Sequence, residues 1–280
     1  MDPISKEARR PPGGFYVWNG DMDLAEIERV RAGLPAELQD GDPAKDPGMD
    51  AGRNIRAGYA RGCGLQYGGL HPVIDSDPDW MAAWALAQGR SIVTHHRLMN
   101  IFLIMKYASV PSGNVIEFGS YRGGSALLMA MLAKRLRPGT KVYALDTYEG
   151  MPATDDHLDR HRPGSFAGVD LEELEAIKVQ FGLDNLFFLK GLFQDTVKLI
   201  PRAERRFFLT HVDCDIYESV RFSIDYAKRQ AVPGSYIVFD DPLEANCLGS
   251  MKAVEEELIR KGCLTEQLYP HLVYRYPPLI

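Results

Sequence analysis

Val115-Ile-Glu-Phe-Gly119-Ser-Tyr-Arg-Gly123-Gly124-Ser125 is the stretch that decides the fold. A short run suited to a buried strand enters a glycine-rich turn, and the turn enters an apolar helical stretch over 125–137. In an open parallel sheet, the turn after the first strand is the usual seat of a ligand. Glycine lets backbone approach that ligand closely, and a helix N-terminus offers unpaired N–H donors to a carboxylate or phosphate. The spacing is G-x-x-x-G-G, which is not the dinucleotide fingerprint, and no G-x-x-x-x-G-K-[ST] phosphate loop occurs. An NAD-dependent dehydrogenase is therefore disfavoured. Glu117 stands two residues before the first glycine, and Asp146 ends the next strand-like run. A strand-end carboxylate can accept both hydroxyls of a ribose. With Glu117 and an open turn, this suits a nucleoside cofactor bearing a zwitterionic amino-acid tail.

Working outward, β-rich runs at 115–118, 141–145, 186–189, 207–212 and 236–239 alternate with helical patterns at 125–137, 171–181, near 196–200, and at 217–230. Strands joined by helical crossovers form a parallel sheet with helices on both faces. A last helix over 250–261 precedes two strand candidates, 264–269 and 272–276. They are separated by little more than Pro270 and His271 and should pair as an antiparallel hairpin. The expectation is an α/β fold with a seven-stranded, mostly parallel sheet. Upstream, Asp77-Pro78 gives an N-cap acceptor and a proline at the first helical position. Helical spacing then continues to Val110, divided near Gly89 and Ser91. Residues 1–77 are rich in Gly and Pro and periodic only near Leu24–Leu34. They read as an N-terminal extension, a lid or an oligomer contact, ahead of a main domain over 78–280.

Three acids follow later strands. Asp213 ends the fourth, and Asp240-Asp241 end the fifth. Adjacent parallel strands should bring all three to one sheet edge beside the glycine turn. Converging carboxylates repel one another unless a cation sits among them. Oxygen ligands without His or Cys point to a hard ion, Mg²⁺ before Mn²⁺ or Ca²⁺. Asp215 lies two residues after Asp213, where it could serve simply as the N-cap of the helix that follows.

The 280 residues carry a net charge of −6, with 45% hydrophobic and 25% charged residues, as in a globular chain with a full core. No clustered basic face exists to neutralise phosphates, so nucleic acid is not an expected partner. The four cysteines form no C-x-x-C pair or regular framework, which fits a reduced cytoplasmic chain. No run of apolar residues is long enough to suggest a membrane span.

Together, Val115–Ser125, Asp146-Thr-Tyr-Glu-Gly-Met-Pro152, Lys190-Gly-Leu-Phe-Gln-Asp-Thr196, Val212-Asp-Cys-Asp-Ile-Tyr-Glu-Ser219 and Asp240-Asp241 resemble the macrocin-type O-methyltransferases. That family includes the enzymes of mycinamicin and novobiocin biosynthesis that methylate deoxysugar hydroxyls, and the resemblance covers about residues 90 to 276. It implies a class I methyltransferase fold, S-adenosylmethionine as methyl donor, and Mg²⁺ at the acceptor hydroxyls. Carried onto this chain, Glu117, Gly119 and Ser125 would hold the methionine part of the cofactor, with Thr94 at its carboxylate. Asp146 would hold the ribose, and Phe193 and Gln194 would flank the adenine. Asp213, Asp240 and Asp241 would ligate Mg²⁺, with Asp215 the general base. The acceptor would be a small molecule, a glycosylated natural product carrying a vicinal diol, and the enzyme a homo-oligomer.

Two rivals remain: a catechol-type methyltransferase, and a cofactor-binding protein without turnover. Catechol enzymes typically place a Lys three residues after the first metal acid, where this chain has Ile216. The intact acid set argues against the second. Residues 154–169 read as a substrate-facing loop, whose His157 and His161, among Asp155, Asp156 and Asp159, look like a solvated charged segment rather than a metal pair. His95 and His96 read as neutral, packed histidines, and Trp80 with Trp84 as core or dimer contacts.

Overall fold

The computed structural model describes residues 70–276 except 111, 245, 264, 269 and 270. The expected extension over 1–77, with its helix near Leu24–Leu34 and its lid or oligomer role, lies outside the described residues up to 69. The compact unit begins at Leu70.

In chain order the helices are α1 (Leu70–Asp75), α2 (Pro78–Ala87), α3 (His95–Tyr107), α4 (Gly124–Leu136), α5 (Leu171–Gln180), α6 (Phe193–Leu199), α7 (Tyr217–Gln230) and α8 (Leu248–Glu257). The strands are β1 (Asn114–Phe118), β2 (Val142–Asp146), β3 (Leu186–Lys190), β4 (Phe207–Val212), β5 (Ala231–Phe239), β6 (Glu266–Leu268) and β7 (His271–Arg275). They form one seven-stranded sheet in the order β3-β2-β1-β4-β5-β7-β6. Pairings among β1 to β5 are parallel, while β7 runs antiparallel to both β5 and β6, as expected of a terminal hairpin. All six residues of β4 are buried, because helices cover both faces of a parallel sheet. Asp77 caps α2 as its sequence promised, accepting from Asp79 N and Trp80 N.

The order reverses between β1 and β4, the switch point beyond which such sheets bind ligands. The register explains what gathers there. Phe118 pairs with Leu145 of β2 and with Val212 of β4, and Val212 pairs with Phe239 of β5. One residue further along each strand therefore sit Gly119, Asp146, Asp213 and Asp240, in a single row at the sheet rim. β5 begins earlier than the expected residue 236. Pro233-Gly234 reads as a strand break, yet the pairing steps from Phe207–Ala231 to Leu209–Tyr236, and this bulge absorbs the proline. The last helix stops at Glu257, with a 3₁₀ turn over Ile259–Lys261.

Among the described residues, no helix is long and apolar enough to cross a membrane.

Candidate active site

The glycine turn is built against the acid loop. Gly119 has φ +88°, and a Cβ there would lie 1.8 Å from the Asp213 carbonyl oxygen. Any side chain would push the turn off the β4 loop. Ser120 N and Tyr121 N then donate to Asp146 Oδ2 at 2.9 and 2.8 Å, and Tyr148 N donates to Asp146 Oδ1 at 2.8 Å. Ser120 Oγ and Tyr148 Oη are 2.8 Å apart. The Asp146 carboxylate thus ties the turn after β1 to the turn after β2. Tyr121, Tyr148, Phe166 and Asp215 have positive φ without being glycine. All four lie at this rim, where strained backbone is held in place by its surroundings.

A cavity of about 570 Å³ opens beyond the strand ends. Of the residues singled out from sequence, Gly119, Asp146, Phe193, Gln194, Asp213 and Asp215 line it. Met151, Pro152 and Phe166 supply apolar wall. Thr94, Glu117, Ser125, Asp240 and Asp241 do not belong to that lining. Thr94 is the exposed N-cap of α3 and makes no side-chain capping bond, while Ser125 is buried in the first turn of α4. Glu117 is fully buried behind the wall, with Oε1 2.9 Å from His211 Nδ1 and Oε2 lacking a partner among the described residues.

Asp213, Asp240 and Asp241 offer carboxylate oxygens that all lie within 4.8 Å of one another. Their electrostatics differ. Asp240 accepts from Arg97 Nη1 at 2.6 Å and from His271 Nε2 at 3.0 Å. Burial alone would raise its carboxyl, but His271, His211 and Arg97 outweigh burial and hold it below the ordinary range. Asp213 and Asp241 form no ion pair among the described residues. Burial first, then the neighbouring carboxylates, pushes both well above the usual carboxylate range. Asp241 Oδ2 accepts Cys214 N at 3.1 Å and Asp215 N at 2.8 Å, which fixes the β4–α7 loop but supplies no whole charge.

Asp215 does not cap α7. That helix receives its cap from Asp159, whose Oδ1 accepts Tyr217 N at 2.9 Å. Asp159 is buried, and its Oδ2 also takes Asp155 N at 2.8 Å, so one carboxylate pins the 154–169 loop to the helix. Gly249 makes room for it: a Cβ there would fall 2.0 Å from Asp159 Oδ1. The pinned loop carries His161 to 3.5 Å from Asp215 Oδ1, while Cys247 Sγ donates to the same oxygen at 3.3 Å. Burial raises the Asp215 carboxyl; His161 and Cys247 offset part of that rise. The solvated reading of this segment holds for exposed His157 and fails for His161, because the Asp159 anchor turns the loop inward. His95 packs edge-on against Trp80 and Trp84, with Trp80 in the core.

Sequence reasoning missed Arg97, His211, His271, Asp159, His161 and Cys247. Arg97 offered a signal, a cation inside the apolar spacing of α3, and His211 sat in an otherwise apolar strand. Of the other four, Asp159 and His161 share the 154–169 loop, His271 starts β7 and Cys247 precedes α8, and only folding brings them to the rim.

A seven-stranded sheet with a single antiparallel strand at β7, a glycine turn after β1 and acids after β2, β4 and β5 is a class I methyltransferase fold. The family model of macrocin O-methyltransferases (TylF) matches residues 76–261. The chain belongs to that family and is an O-methyltransferase. Among solved structures, the O-methyltransferase NovP superposes with a TM-score of 0.60 at 22% identity, covering 67% of this chain and 82% of NovP. The calicheamicin methyltransferase CalS11 gives 0.56 at 20% identity, over 74% and 90% of the two chains. The SAH-bound methyltransferase PaMTH1 of Podospora anserina gives 0.50 at 12% identity, over 75% and 94%. No protein of curated function matches the chain.

Proposed function

We propose that this O-methyltransferase moves a methyl group from S-adenosylmethionine to one hydroxyl of a vicinal diol on a natural-product sugar, with Mg²⁺ at the β4–β5 acids. The observation that carries the reading is the pair of carboxylates, half-buried Asp213 and buried Asp241, that no cation among the described residues pairs with. Oxygen donors, close spacing and uncompensated charge fit a hard divalent ion. Asp213 and Asp241 would hold it, with Asp240 as third ligand through lone pairs that Arg97 and His271 leave open. When bound, such an ion makes a neighbouring hydroxyl more acidic.

The chain's own residues would do the rest. Asp146, rigid between two turns, would present its outer lone pairs to the ribose hydroxyls. Phe193 and Gln194 on the cavity wall would flank the adenine. Gly119 and Ser125, with Glu117 behind them and Thr94 at the start of α3, would set the methionine end. Asp215 stands at the cavity edge with a carboxyl raised by burial, closer to working pH than an exposed aspartate, as a general base requires. It would take the acceptor proton. Holding donor and acceptor at attack distance in one cavity supplies much of the acceleration. A volume of about 570 Å³ suits a small-molecule ligand. Family membership supports a sugar acceptor, as does the structural neighbour CalS11, a TDP-rhamnose 3′-O-methyltransferase of calicheamicin biosynthesis. We further propose a cytoplasmic homo-oligomer in which residues 1–77 form a lid or an oligomer contact.

The test is methyl transfer from S-adenosylmethionine to a panel of glycosylated natural products and nucleotide sugars. EDTA should abolish turnover and Mg²⁺ restore it. Full activity in excess chelator would remove the metal, and with it the main reason for expecting a diol.

A further inference from the structure

We propose that His161, Asp215 and Cys247 form a binding site for a transition-metal ion of the Zn²⁺ type, distinct from the hard-ion ligands Asp213, Asp240 and Asp241. The three ligand atoms stand in a triangle. His161 Nε2 is 3.5 Å from Asp215 Oδ1, Cys247 Sγ is 3.3 Å from the same oxygen, and Cys247 Sγ is 3.9 Å from His161 Nε2. Zinc bonds of about 2.0–2.1 Å to N and O and about 2.3 Å to S, at tetrahedral angles, separate ligand atoms by roughly 3.3–3.6 Å. The observed edges match to within about 0.4 Å, so an ion could enter with small side-chain adjustments.

The donor chemistry differs from that of the neighbouring acids. One nitrogen, one oxygen and one sulfur select a borderline ion, whereas Mg²⁺ has no preference for a thiolate. The triad is also held in place. Asp159 anchors the loop that carries His161, and the Phe166 ring lies 5.1 Å from the His161 ring. Asp215 is fixed at φ +56° with its N–H donated to Asp241. Cys247 is buried at the N-cap of α8. Nearby carboxylates make the region favourable to a cation. The same carboxylates, after burial, push the Cys247 thiol up, so the sulfur becomes a thiolate only when an ion is there to hold it. Asp215 borders the cavity, so a fourth ligand can come from that side, as in zinc sites with three protein ligands.

Occupancy would withdraw Asp215 from proton transfer. This corollary alone rests on the base proposed above; binding does not depend on it. Zn²⁺ should then inhibit methyl transfer in the presence of saturating Mg²⁺.

The probe is Co²⁺, titrated into the full chain with Mg²⁺ saturating. One equivalent should give the near-ultraviolet absorption of a thiolate–cobalt bond, and Zn²⁺ should bleach it. Cys247→Ser should abolish the band. His161→Gln should weaken Co²⁺ binding at least tenfold, with circular dichroism confirming the fold of both variants. Asp241→Asn should leave the band in place. Absence of a band in wild type would overturn the proposal, and so would a band of unchanged strength in Cys247→Ser. A band with no inhibition by Zn²⁺ upholds the metal site and instead refutes Asp215 as the base. Loss of Mg²⁺ dependence with the band intact refutes only the hard-ion reading.

Discussion

On the β1–β2 side of the rim a single carboxylate, Asp146, collects three backbone N–H donors within 2.9 Å. On the β4–β5 side Asp213, Asp240 and Asp241 crowd together with Asp215 beside them, and among the described residues only Asp240 is paired with an arginine. The first arrangement is complete without any ion, since dipoles satisfy the charge and fix the turn. The second holds two carboxyls, Asp213 and Asp241, that no cation among the described residues pairs with. On the proposed reading, the difference separates a preformed surface for a neutral or zwitterionic ligand from a site that a cation would complete. It also divides labour within the acids. Arg97 and His271 hold Asp240 ionised, so in the proposed metal site an incoming cation would rest mainly on Asp213 and Asp241.

The largest effect should come from Asp215→Asn. It should retain Mg²⁺ and both substrates and lose about 10²–10⁴-fold in turnover, the usual range for a general base. Its residual rate in single-turnover assays should climb with pH as hydroxide replaces the carboxylate. A variant that turns over normally would put Asp215 outside the chemistry. Arg97→Met comes next. It strands the buried Asp240 charge, and breaking a buried pair from one side costs about 3–5 kcal/mol. Urea denaturation measures this, and a loss under 1 kcal/mol would mean that His271 alone compensates Asp240.

Asp146→Ala attacks the other side of the comparison. It should weaken S-adenosylmethionine binding by roughly 2–4 kcal/mol through lost charged hydrogen bonds, without changing Mg²⁺ affinity. Calorimetry of both ligands checks the separation; a parallel loss of Mg²⁺ would show the two regions to be one cooperative unit.

The smallest effect is in pH. The folded carboxyls of Asp213 and Asp241 are raised above their unfolded values. Their contribution to metal-free stability is therefore full below the ordinary carboxylate range and is lost as pH rises through the folded values. Asp240, lowered, has the opposite sign, its contribution being lost as pH falls. Stabilisation by Mg²⁺ should consequently grow as pH rises through the window above the ordinary carboxylate range, as seen in thermal melts with and without the ion. A Mg²⁺ effect that is flat across this window would mean that the acids are neutralised by other means.

Much of the sheet was legible because each strand carries its own signal. Strongly apolar 207–212 is β4 without adjustment, and 217–230 is α7, since both patterns lie within one element. β5 was cut short because Pro233-Gly234 obeys a local rule that a bulge overrides. The acid row could be read because parallel register makes strand ends coincide. The anchoring of the 154–169 loop could not. It depends on Asp159 meeting Tyr217 N and Gly249, partners separated by 58 residues in one case and closer only in space in the other. No periodicity records such a meeting. The buried chain Glu117–His211 and Asp240–His271 was hidden for the same reason, being assembled across β1, β4, β5 and β7.

The proposed function requires that the β4–β5 acids take a hard cation that the β1–β2 side does not need. Calorimetric titration of Mg²⁺ into wild type, Asp213→Asn and Asp146→Ala tests it most directly. Wild type and Asp146→Ala should each bind one ion per chain, and Asp213→Asn should show no measurable binding. Equal Mg²⁺ affinity in wild type and Asp213→Asn would contradict it.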